Sequence, residues 1–208
     1  MKSRDWVRFF FSGLLVGAAA AIASGMIINW EQQSGLLASG QIDEVLASLV
    51  WFVGVGMMFS IISQMGFFAY LTLHRFGMGI FGSLWNPVQM VLIVFVLFDL
   101  IYFRYQAFGE SGPVLPYIWP AAGFFFVSLI IAYIKQKDTN KGAFIPALFF
   151  IFVGTAVEWF PALRENDQNW LYFMLISLLC CNAFQLIMLP RFSGSAARKT
   201  ERRKTAEG

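Results

Sequence analysis

Six long apolar runs separated by short polar connections fill almost the whole chain, at about 7–28, 45–73, 84–103, 116–134, 142–160 and 170–189. A bilayer's hydrocarbon core is about 30 Å thick, and a helix rises about 1.5 Å per residue, so about 20 apolar residues suffice for one crossing. No water is there to satisfy backbone N–H and C=O groups, so a spanning segment must close its own hydrogen bonds, as a helix does. The expected fold class is an all-α integral membrane protein, a bundle of six transmembrane helices. Only 13% of the 208 residues are charged, against about 25% in soluble domains, and no segment is polar enough to form a separate soluble domain. The expected domains are a membrane domain at 1–190 and a basic, disordered tail at 191–208. All seven prolines lie within a turn or so of a run's end or in a connection, and Pro190 is read as the stop of the last run.

The connection 135–141 (KQKDTNK) is a compact basic island between two apolar runs, and it anchors the topology. If the flanks alternate sides, every Lys and Arg of the fifteen except Arg104 and Arg164 falls on one side. Basic residues stay preferentially in the cytoplasm, so both termini and 135–141 are expected there, in a multi-pass protein of the bacterial plasma membrane. Tryptophans and tyrosines cluster at run ends, where rings with a polar handle prefer the headgroup level. The tail run 198–204 (RKTERRK) follows a span directly and is expected to meet anionic lipid headgroups at the cytoplasmic face, not nucleic acid. The charged, then apolar, then small-residue start also describes a cleavable signal peptide, but the first run is long enough to span and the five others need no leader.

In the first run Gly13, Gly17, Ala21 and Gly25 recur every four residues and share a helix face, which allows close approach of another backbone. That face is a candidate for helix packing within the chain or for a partner. The buried amides Gln64, Gln89, Asn182 and Gln185 form a candidate polar cluster, read as hydrogen-bonding glue between helices or as a substrate site. Asp99 and Glu158 lie near run ends and are read as interfacial, Asp99 within reach of Arg104. His74, Arg75, Lys135, Lys137 and Lys141 are candidate cytoplasmic contacts.

A catalytic centre needs converging nucleophiles, acid–base pairs or metal ligands. His74 is the only histidine, there is no H-E-x-x-H or C-x-x-C motif and no Walker-type loop, and Gly194-Ser195 lacks the strand–turn–helix setting of a nucleophile elbow. Cys180 and Cys181 adjoin in an apolar run and read as reduced, small apolar residues, with palmitoylation or redox sensing as the alternative. The expectation is a non-enzymatic protein with no cofactor and no metal.

The opening 1–17 (MKSRDWVRFFFSGLLVG) and the passage 74–89 (HRFGMGIFGSLWNPVQ), with the length, spans and charged tail, resemble the KinB-signalling pathway activation protein family (KbaA) of spore-forming Firmicutes. The resemblance implies a membrane accessory protein needed for activation of a sensor histidine kinase, its partner, in the sporulation phosphorelay. It brings no catalytic or ligand residues. The alternative is a small multi-pass transporter or ligand-sensing membrane protein.

Overall fold

The computed structural model describes the backbone of residues 3–109 and 112–204 and the side chains of residues 4–109 and 112–190. The tail's basic side chains therefore lie outside the described residues. Among those described the chain is all-helical: α1 (Ser3–Ile28), α2 (Trp30–Ala38), α3 (Ile42–Phe81), α4 (Trp85–Phe108), α5 (Leu115–Asp138), α6 (Phe144–Phe149), α7 (Thr155–Leu163) and α8 (Gln168–Lys204). Short 3₁₀ turns precede α4 and α6, and a π-helical segment, Phe150–Gly154, joins α6 to α7.

Among the described residues, five stretches are long and apolar enough to cross a membrane: Arg4–Ile28, Ile42–Phe108, Leu115–Asp138, Lys141–Leu163 and Gln168–Pro190. The second holds 67 residues, about 100 Å if straight, yet it doubles back. Trp85 Nε1 donates to His74 Nδ1 at 2.9 Å, and Gln89 stands beside Tyr70. On a straight helix residues 11 apart would be about 16 Å apart, so α4 runs antiparallel to α3. The reversal comes at Gly82, whose φ of 54° suits a residue without Cβ.

Several boundaries differ from the sequence expectation. The polar connection after α1 contains α2, and α3 starts at Ile42 after Gly40, whose φ is 74°. The segment 76–83, which the apolar runs leave as a connection, stays helical to Phe81, and Gly77 within it accommodates the Trp85 ring, which a Cβ there would strike. Pro190 lies inside α8 instead of ending it. Trp85 and Trp159, expected at the headgroup level, are core residues, 4% and 2% exposed.

The helices form two groups. In one, α1 packs against both α3 and α8; in the other, α4, α5 and α6 meet, with the π segment and α7 bridging to α3 and α8. Between the groups lies an aromatic core in which Phe9, Phe59, Phe67, Phe150 and Phe152 are fully buried. A π turn holds an extra residue and shifts the helical phase. Six consecutive residues, Ala147 to Phe152, are thereby buried before α7 presents Thr155, Glu158, Trp159 and Ala162 to the interior.

Candidate functional site: a polar core between helices

Ser60, Ser63 and Gln64 share one face of α3 by their three- and four-residue spacing, and all are buried. Asn182 and Gln185 of α8 face them, and Thr155 and Glu158 of α7 close the third side. Gln185 Nε2 donates to Ser63 Oγ at 2.5 Å, and Ser63 Oγ donates to Asn182 Oδ1 at 2.7 Å. The Asn182 amide nitrogen donates to Thr155 Oγ1 at 2.9 Å and to Glu158 Oε2 at 2.7 Å. One asparagine thus ties three helices together. Glu158 Oε1 rests against Gly66, where a Cβ would collide with it. Among the described residues, neither Glu158 Oε1 nor Gln185 Oε1 has a hydrogen bond.

Glu158, read from the sequence as interfacial, is therefore turned into the bundle. It is 8% exposed and held inside the bundle, because α7 continues through Pro161 to Leu163 instead of ending two residues after the carboxyl. The polar positions divide differently from the sequence grouping. Asn182 and Gln185 join through Ser63. Gln64 turns to α1, donating to Ser60 Oγ at 3.2 Å and to the Phe10 carbonyl at 3.5 Å. Gln89 is fully buried but lies at the α3–α4 turn beside Tyr70. Thr155 is not among the residues singled out from the sequence and Glu158 is placed there at the interface, although their three-residue spacing is the same face signal as that of Asn182 and Gln185.

The small-residue face of α1 is occupied within the chain. A Cβ on Gly17 would strike the Gly56 carbonyl, one on Gly56 would strike the Gly17 carbonyl, Gly13 abuts Gln64, and Gly25 abuts Phe52. Ala21 is fully buried in the same seam. No partner can use this face while the bundle is intact.

Among the candidate cytoplasmic contacts, Arg75, Lys137 and Lys141 are exposed. His74 is half-buried under Trp85. Lys135 is not a surface contact: it is buried, and its ammonium donates to the Leu186 carbonyl at 2.7 Å. Pro190, four residues on, has no N–H to offer that carbonyl, so Lys135 of α5 supplies the missing donor. Lys135→Met is expected to cost about 1.5–3 kcal/mol in reversible unfolding of the purified protein, whereas Lys137→Met should change it by no more than about 0.5 kcal/mol.

Among the described residues, two of the openings lie apart from the polar core's own side chains. A groove of about 700 Å³ between α4 and α7 is walled mainly by apolar side chains, with Asp99, Arg104 and Arg164 among its lining. Arg104 is 8% exposed and donates to the Leu163 and Glu165 carbonyls, both at 3.4 Å, closing the end of α7. Arg104, which the sequence puts within reach of Asp99, makes no ion pair with it among the described residues. A second cleft, of about 430 Å³, lies where α1 ends and α3 and α8 begin. Among the described residues no three His, Cys, Asp or Glu side chains converge as metal ligands would.

Residues 17–192 match the KbaA family, described as KinB-signalling pathway activation in sporulation. The chain is 51% identical over 196 residues to the "KinB-signaling pathway activation protein" of Bacillus subtilis (strain 168), an alignment covering 93% of this chain and 99% of that relative. No solved structure is significantly similar to it. With the match running from α1 into α8, the chain belongs to the KbaA family of KinB-signalling pathway activation in sporulation.

Proposed function

We propose that the chain is a non-enzymatic accessory protein of the plasma membrane that promotes activation of a sensor histidine kinase in the sporulation phosphorelay by packing its helices against the kinase's spans. Family membership supports the pathway. The observation that carries the packing mechanism is the lateral groove between α4 and α7, about 700 Å³ in volume. Among its lining residues Phe103, Val157 and Phe160 are 59%, 68% and 51% exposed. Apolar side chains of a partner helix can seat there by van der Waals packing, the force that associates helices in lipid.

The proposed topology has six crossings, since Ile42–Phe108 doubles back at Gly82, and both termini are cytoplasmic. Arg75, Lys137, Lys141 and the basic tail then face anionic lipid. Chemical cross-linking in native membranes, followed by identification of the captured proteins, tests the proposal.

The Glu158 network favours a second reading, a transporter or ligand-sensing membrane protein, because ionisable groups inside membranes are costly and tend to be functional. Glu158→Gln, which retains an acceptor for Asn182, separates the two. Unchanged pathway output leaves the network a structural one, and lost output in a well-folded protein favours sensing or transport.

A further inference from the structure

The cleft at the end of the bundle where α1 finishes and α3 and α8 begin has a definite chemistry. Its aromatic walls include Trp51, Phe52, Trp170 and Phe173. Phe52 and Phe173 lie 5.7 Å apart and Trp170 and Phe173 lie 5.8 Å apart between ring centroids, so these rings form a continuous surface. The polar lining consists of amides, a serine hydroxyl and the Asp167 carboxylate, with no Lys, Arg or His.

Gln33 lines this cleft at 2% exposure, and its Oε1 has no hydrogen bond among the described residues. A buried carbonyl oxygen without a donor is costly; this one is closed to water, so a ligand N–H would satisfy it once the Gln33 amide turns into the cleft. Asp167 caps α8 through Oδ1, which accepts from the backbone N–H groups of Asn169 at 2.9 Å and Trp170 at 3.1 Å. Both of those bonds go to Oδ1, so the helix cap does not engage Oδ2. Glu31, Asp43, Glu44 and Glu165 lie in the helices and connection around the same end and, with Asp167, outnumber Arg104 and Arg164 there, a balance that draws cations.

We propose that this cleft binds a small organic amine as its ammonium ion, with Asp167 as the counter-charge, Gln33 Oε1 as an acceptor and the tryptophan faces as cation–π surfaces. An ammonium carries three donors and no acceptor, which suits a lining rich in acceptors. Anionic ligands find no positive side chain there, and neutral ones leave the carboxylate without a counter-ion.

The test is calorimetric titration of the full-length protein in nanodiscs of zwitterionic lipid with three molecules of similar length: putrescine, 1,4-butanediol and succinate. Saturable binding of putrescine, with neither of the others binding, is expected. Asp167→Asn keeps the helix cap, because asparagine caps as well as aspartate, and should weaken putrescine binding by about tenfold or more. Gln33→Leu should weaken it independently. Absence of putrescine binding, equal binding of butanediol, or affinity unchanged in Asp167→Asn would overturn the assignment. The titration contains no kinase, so its failure leaves the accessory role standing, and failure of kinase capture leaves the amine site standing.

Discussion

Leucine in place of Gly17 is expected to prevent recovery of a folded protein. Gly17 of α1 and Gly56 of α3 each stand against the other's backbone carbonyl, and Ser60 and Cys181 crowd the same point from α3 and α8. A side chain there meets backbone, which cannot swing aside, so the helices must separate along the whole seam that also buries Ala21. Overpacking a close-packed core costs about 1–3 kcal/mol and occasionally more; at a backbone-to-backbone contact the upper end or beyond applies. Gly54, on the same helix as Gly56, has open space around its would-be Cβ, and Gly54→Leu should be tolerated. Size-exclusion recovery and thermal unfolding in detergent read both variants. A monodisperse, stable Gly17→Leu protein would contradict the packing of α1.

Asn182→Leu is expected to loosen the junction of α3, α7 and α8. Its amide makes three hydrogen bonds, to Ser63, Thr155 and Glu158, and at about 0.6 kcal/mol per interhelical bond in membranes the loss is about 2 kcal/mol. Removal also strands the Glu158 carboxyl inside the bundle, which adds to the cost. Gly66→Ala should reproduce part of the defect by pushing the carboxyl from its seat. A double-mutant cycle combining Asn182→Leu with Glu158→Leu, which removes the acceptor, isolates their coupling. Additive effects would show that the two groups do not interact.

What the sequence could show of this fold was set by one-dimensional signals. Apolar runs, flanking charges and the Asn182–Gln185 spacing are local, and they mark the long apolar helices and one arm of the polar core, but not α2 in the polar connection. Glu158 looked interfacial because its depth was counted from the apolar run, which ends near Pro161, whereas the helix continues to Leu163. The π segment has no periodic signature in a stretch where every residue is apolar, so the phase shift that turns Glu158 inward was not legible. Lys135 was counted as a topology charge; its bond to Leu186 depends on how α5 meets α8 and on the N–H that Pro190 lacks, a relation between residues 51 apart. The small-residue face of α1 was legible as a packing surface, but only the three-dimensional seam with Gly56 shows that it is already filled.

The claim that this chain acts by packing against a sensor kinase within the membrane is tested most directly by cross-linking an affinity-tagged copy in native sporulating membranes, with Val157→Trp as the companion. The account predicts recovery of a sensor histidine kinase with the unaltered chain. It also predicts strong loss of that recovery when the bulky indole blocks the α4–α7 groove in a variant that still inserts and folds. Reproducible absence of any sensor kinase while other membrane partners are captured, or undiminished capture by Val157→Trp, would contradict it.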